Sequence, residues 1–169
     1  ALRRVCIPYV PATPAQLANL SRALDKTRLS SHALGPLVDL GSGDGRVVLE
    51  CAKRGIVSTG VELNAVLVAY SKWKALTNRS SLTASASFTR RDIFKTDMTT
   101  FNSAVIFGAE SLMGELVPKT AEMHEGARLF ACRFPLPKND HFRLVEQIGD
   151  GIDAVWSLKT ETYSSTMHG

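Results

Sequence analysis

The chain has 169 residues and a mass of 18.4 kDa, with 44% hydrophobic and 21% charged residues. That is enough chain for one domain with a real core, and its composition is close to a globular average rather than that of a disordered or repetitive segment. The net charge of +4 is scattered. Short basic pairs such as Arg3–Arg4 and Arg90–Arg91 therefore read as solvated surface, with a functional basic face as the alternative.

No stretch approaches the ~18 apolar residues that cross a bilayer, and no leader pattern appears. The opening Ala-Leu-Arg-Arg leaves room for an anchor or targeting segment upstream. Cys6, Cys51 and Cys132 are far apart and contain no C-x-x-C, so packed, reduced thiols in a reducing compartment are expected. His32, His124, His141 and His168 lack metal-ligand spacing, and no metal site is expected.

Three prolines hold the segment from Ile7 to Pro14 extended. Thr13 before Pro14 is an N-cap signal, and Leu17, Leu20 and Leu24 then share one face, predicting a helix over 14–26. A buried strand over 37–40 enters the turn Gly41-Ser-Gly-Asp-Gly45, and a helix over 46–53 stops at Gly55. Then come a strand over 57–62, a helix over 65–76, strands over 86–91 and 104–107, a helix around 112–124, and a strand over 127–134. Two late strands, 142–148 and 154–158, have no strong helix between them. Alternating strands and helices predict an α/β Rossmann-like sandwich, with a mostly parallel sheet and an antiparallel C-terminal edge hairpin. One domain covers 1–169, with an N-terminal extended segment and helix (1–26) ahead of the core (36–169).

The turn Asp39-Leu-Gly41-Ser42-Gly43-Asp44-Gly45 joins a strand to a helix, where ligands of open α/β sheets bind. Glu62 ends the second strand, 21 positions after Gly41. That is close to the roughly 20 expected of a carboxylate on a ribose. Asp92 at the end of the third strand is placed to accept from an adenine amino group, with Ile93 against the ring. A dinucleotide site wants G-x-G-x-x-G, but the third glycine comes one place early and Arg46 takes its position. Asp39 and Asp44 place negative charge beside the loop, which repels a pyrophosphate and attracts a cation. Two unit charges about 4 Å apart interact by about 4 kcal/mol at an effective dielectric near 20. S-adenosylmethionine (SAM), with its ammonium and sulfonium, suits that sign. ATP does not, since no G-x-x-x-x-G-K-[ST] occurs.

The run Val38-Asp-Leu-Gly-Ser-Gly-Asp-Gly-Arg-Val47 resembles the first motif of class I SAM-dependent methyltransferases. More specifically, the chain resembles the mitochondrial lysine methyltransferases acting on the ATP synthase c subunit and on the adenine nucleotide translocase. The resemblance extends through Tyr9-Val-Pro-Ala-Thr13, Gly60-Val-Glu-Leu-Asn64, Val105-Ile-Phe-Gly108, Ala131-Cys-Arg-Phe-Pro-Leu-Pro137 and Gly151-Ile-Asp-Ala-Val-Trp156. The Ile-Phe-Gly and Ala-Cys-Arg-Phe-Pro runs stand nearer the branch that acts on ATP synthase. Two positions depart from that branch: Ala65-Val66 replaces an aromatic, and Glu110 replaces a proline.

The resemblance implies a membrane-associated mitochondrial enzyme whose partner is a protein with an exposed lysine. No nucleic acid is expected, since no Asn-Pro-Pro-Tyr follows the fourth strand and no aromatic-rich RNA platform occurs. It implies cofactor contacts from Asp39, Gly41, Gly43, Glu62 and Asp92, with Tyr9 and Thr13 closing over the cofactor. Phe107, Gly108, Arg133, Phe134 and Pro135 are candidates for the acceptor channel, with core and turn roles as the alternative. Glu110 is a candidate for holding the cationic lysine, or a solvated helix cap. No dedicated general base is evident. Free lysine has a pKa of about 10.4, so burial must strip its proton before attack on the methyl carbon. A SAM enzyme for a small molecule or RNA, and a non-catalytic SAM-binding protein, are the alternatives.

Overall fold

The computed structural model describes residues 9–30 and 33–161. Cys6, Ile7, Pro8, His32 and His168 lie outside the described residues, as do Arg3 and Arg4. The elements follow the expected order: α1 (Pro14–Leu29), β1 (Leu37–Leu40), α2 (Arg46–Lys53), β2 (Ser58–Glu62), α3 (Ala65–Thr77) and β3 (Ala86–Arg90). Then come β4 (Ser103–Phe107), α4 (Glu110–Thr120), β5 (Arg128–Cys132), β6 (Phe142–Ile148) and β7 (Val155–Thr160). Short 3-10 turns at Ile93–Lys95 and Met98–Thr100 stand where a helix between β3 and β4 is missing.

Boundaries moved for local reasons. Helix α1 runs to Leu29, three residues past expectation, with Lys26 and Arg28 in its last turn favoured by the helix dipole. Helix α4 starts at Glu110 and stops at Thr120, whose hydroxyl donates back to the Leu116 carbonyl. Strand β5 ends at Cys132 rather than Phe134, because Arg133 adopts a φ of 73° and breaks the extended backbone.

The seven strands run in the order β3-β2-β1-β4-β5-β7-β6. The first five are parallel, and β7 is antiparallel to both β5 and β6. The expected hairpin is present, but it is inserted in reverse: β7 pairs with β5, and β6 forms the edge. Alternation along β1 divides the core. Val38 and Leu40 face α4 with Ile106, Met113 and Leu116, while Leu37 faces α1 and α2 with Leu24, Val47 and Phe130. Helix α3 covers the β3 edge through Val68 against Phe88 and Val48. Leu24 is fully buried, and emptying its place would cost about 2–5 kcal/mol. Cys51 and Cys132 are buried free thiols in the α1–α2 half of the core. Burial pushes Cys51 up to about 12 and raises Cys132 well above its ordinary range, so both stay protonated.

Thr13 is the N-cap of α1, in a reciprocal capping box with Gln16. Gln16 continues the linkage by donating to the Ile152 carbonyl at 2.9 Å. Thr13→Ala is expected to lower the unfolding free energy by about 1 kcal/mol, read as a lower urea midpoint at unchanged slope.

Candidate functional site

The strand order reverses between β1 and β4, and the carboxyl ends of these two strands open into a narrow cleft. Its walls come from the glycine turn, Glu62, Phe107 and the segment Tyr9–Ala12. Gly41, Gly43 and Gly45 all take positive φ (82°, 54° and 86°), which lets the chain reverse within one turn. Gly60 on β2 matters for a different reason. A Cβ there would lie 2.5 Å from Ser42 Oγ and 2.7 Å from the Phe88 ring, so its absence lets the turn lie down on the sheet.

Glu62 locks this geometry. One carboxylate oxygen accepts from the Gly43 N–H at 3.1 Å and the other from the Asn64 N–H at 2.8 Å. Each oxygen keeps a further lone pair, as a hydroxyl-binding group requires. Asn64 in turn caps α3 by accepting from Val66 and Leu67.

Asp39 lies on the floor, 2% exposed, on the α1–α2 side of β1. Burial, then the charges of Glu62 and Asp44, raise its pKa to about 7. Among the described residues, Asp39 Oδ1, Ser42 Oγ and Arg128 Nε are the buried side-chain polar atoms without a hydrogen-bond partner. Two of these three face the same cleft. A buried carboxylate with an empty acceptor position is costly to the fold alone and is relieved by a donor or cation arriving from outside.

The expectation that Asp44 contributes free negative charge is corrected by its partner. Burial works to raise the Asp44 carboxyl, but the Arg46 guanidinium and backbone N–H outweigh it and the pKa is lowered. Arg46 Nη2 lies 2.6 Å from Oδ2, and Nε lies 3.1 Å from both oxygens. The repulsion of phosphate therefore rests on Asp39 and Glu62.

Arg46 also donates to the Ala12 carbonyl at 2.8 Å, and Arg133 donates to the carbonyls of Val10 (2.9 Å) and Pro11 (3.1 Å). Two arginines thus strap the N-terminal segment across the cleft. Tyr9 lies directly over the glycine turn: a Cβ on Gly43 would meet its ring at 3.0 Å.

Tyr9, Asp39, Gly41, Ser42, Gly43, Glu62 and Phe107 come together at the cleft. Others do not. Thr13 is exposed and occupied as a cap. Asp92 caps the turn after β3 by accepting from Phe94 N–H at 3.0 Å, and Ile93 is 5% exposed in the α4-side core. Gly108 is buried where a Cβ would meet Met113 Sδ at 2.9 Å. Phe134 packs on the core, Pro135 is exposed, and Glu110 is exposed in the first turn of α4, where the helix dipole favours it. Arg133 reaches the cleft differently from expectation, as the strap's anchor, with its guanidinium 5.4 Å from the Phe107 ring centre. Sequence reasoning missed the Arg46 and Arg133 clamps and the carbonyls of Val10–Ala12, which carry no side-chain signal. Gly60 was detectable as a glycine inside a strand.

The model of the ANTKMT methyltransferase domain matches residues 39–142. The Caenorhabditis elegans lysine N-methyltransferase named for the ATP synthase c subunit is 62% identical over 160 residues, covering 94% of this chain and 83% of that protein. The protein of the same name from Rattus norvegicus is 43% identical, covering 93% and 68% respectively. Among solved structures, an RNA methyltransferase from Salinibacter ruber in complex with S-adenosyl-L-homocysteine superposes with a TM-score of 0.73 at 22% identity, covering 95% of this chain and all of that one. At that identity the superposition supports the fold alone.

Two outcomes test the cleft. Above pH 7 the native chain carries an ionised, buried Asp39. Between about pH 4 and 7 the unfolded chain releases that proton before the native one, so the penalty grows with pH across this window and then levels off. Asp39→Asn is therefore expected to raise the unfolding free energy at pH 8, by at most about 4 kcal/mol, and to leave it nearly unchanged at pH 4. Denaturant melts at the two pH values read the difference. Arg133→Ala is expected to speed hydrogen exchange about fivefold to tenfold in residues 9–13, with exchange in the glycine turn unchanged.

Proposed function

The chain belongs to the ANTKMT methyltransferase domain family, and on that basis we propose that it methylates a lysine of a mitochondrial inner-membrane protein, the ATP synthase c subunit first among candidates. It is a SAM-dependent protein-lysine N-methyltransferase. The 62% identity to a relative named for that target supports the choice. One observation supports the cofactor's placement: Asp39 Oδ1 and Ser42 Oγ, both from residues lining the cleft, are buried and unpartnered.

In this reading Asp39 receives the ammonium end of SAM, and Glu62 accepts from its ribose hydroxyls while holding the Gly43 N–H. Asp92 stands outside the cleft walls, but Arg91 N–H donates to the Glu62 carbonyl, so an adenine extending past Glu62 along the strand ends meets the Asp92 oxygen left free by its own turn, with Ile93 behind it. Tyr9 covers the turn and excludes water, held by Arg46 and Arg133 through the strap. Bound SAM supplies an electrophilic methyl carbon on a positively charged sulfur. The acceptor enters past Phe107, where the Arg133 guanidinium disfavours an incoming ammonium and so promotes the neutral amine. Proton loss goes to water, and alignment supplies most of the remaining acceleration.

A cation drawn to Asp39 requires the ionised carboxylate. SAM affinity is therefore expected to fall roughly tenfold per pH unit below about 7, with uptake of SAM releasing a proton there. Calorimetry in buffers of different ionisation enthalpy reads both. Asp39→Asn should flatten this profile and weaken binding at pH 8. The target is tested by intact-mass analysis of mitochondrial membrane proteins incubated with the enzyme and SAM. The expected outcome is one to three methyl increments on the c subunit, and a label found only in RNA or metabolites would overturn the assignment.

A further inference from the structure

Helix α3 is apolar on both sides. Its inner face, Val68 and Ala75 with Ser71, packs toward Phe88 and Val48. Its outer face holds Val66, Tyr70, Trp73 and Leu76, which are 76%, 45%, 59% and 70% exposed. At about 100° per residue, Val66, Tyr70 and Trp73 fall within a stripe about 60° wide, with Leu76 alongside. Lys72 and Lys74 stand on opposite flanks of that stripe, and Lys74 Nζ lies 5.4 Å from the Tyr70 ring centre. The Tyr70 and Trp73 rings are 6.0 Å apart and tilted by 31°.

The charge on the helix and on the chain from it through β3 has one sign. From Leu63 to Arg91 the sequence holds Lys72, Lys74, Arg79, Arg90 and Arg91 and no carboxylate. Arg90 is drawn to the start of the helix, donating to the Leu63 carbonyl at 3.1 Å. A shallow groove beside the helix adds Leu76 and Leu82 between Lys72 and Arg79. Two copies meeting through this face would set cation against cation, which disfavours self-association. A tryptophan and a tyrosine among aliphatics, with lysines at both margins, match an anionic phospholipid surface. The rings suit the headgroup level, and the lysine stems lie apolar while their ammonium groups reach phosphate.

We propose that the outer face of α3 seats the protein on an anionic lipid bilayer, with the helix in the plane of the interface. Asn64, which caps α3, donates its own N–H to Glu62 at the cleft, so the seated face runs outward from the rim of the cofactor site. The proposal deepens the membrane-protein target above but rests on α3 alone. Cofactor binding by the same samples reports separately on the enzymatic reading.

The test is flotation of the whole chain with vesicles of phosphatidylcholine alone and of phosphatidylcholine mixed equally with phosphatidylglycerol. Expected are binding to the mixed vesicles only and a blue shift in Trp73 emission that is lost in Trp73→Phe. Tyr70→Ser with Trp73→Ser should reduce partitioning at least about tenfold, and Lys72→Glu with Lys74→Glu should do so comparably. SAM affinity and the far-ultraviolet spectrum should remain at wild-type values in both variants, which separates loss of docking from loss of fold. No binding to the mixed vesicles, binding indifferent to both variants, or concentration-dependent dimerisation abolished by them would each overturn the proposal. The last outcome would make a second copy the occupant.

Discussion

The cleft is organised around a carboxylate kept where water cannot reach it. Asp39 sits at the third position of a four-residue strand paired on both sides, so its backbone cannot relax to expose the side chain. The glycine turn above it, the Glu62 brace and the strap all close the space in which that charge would otherwise be solvated. The native fold without ligand therefore holds a group it would be more stable without. Such local cost is how a binding site stores selectivity for the sign of its ligand.

The parts of the site on contiguous chain were legible from residues alone. The turn, its flanking strand and helix, and the carboxylate one strand later need only periodicity, glycines and spacing. What was hidden depends on long-range contact. Arg133 holds carbonyls more than 120 positions away, and nothing in Cys-Arg-Phe distinguishes a clamp from a channel wall. Asp44 looked like free charge because its partner lies two residues on, and local sequence does not reveal which way a guanidinium folds. Phe134, Pro135 and Gly108 are channel candidates by their proximity to strand ends and equally candidates for core and turn roles, and packing draws Phe134 and Gly108 toward the core and leaves the proline in solvent.

Helix α3 shows the same limit from the other side. Its apolar residues do not tell by themselves which face is covered, and of them only Val68 is buried. The sheet edge is too narrow to cover the rest, because the short β3, with residues alternating between the faces, is the main strand beneath it. The scattered charge of the whole chain likewise masks a run of uniform sign between Leu63 and Arg91, whose place on one side of the molecule follows from the packing of α3 on β3. Composition averages over such local asymmetries, and three-dimensional proximity restores them.

The reversed hairpin has a consequence for assembly. Because β7 lies between β5 and β6, the penultimate strand has no neighbour to pair with until the final one has been delivered. A nascent chain emerging from the ribosome up to residue 150 can zip five parallel strands but leaves β5 with a bare flank and β6 unpaired. Closure of the sheet thus waits until β7 has been synthesised, and for that interval the partly made protein presents an open edge of the kind chaperones shield.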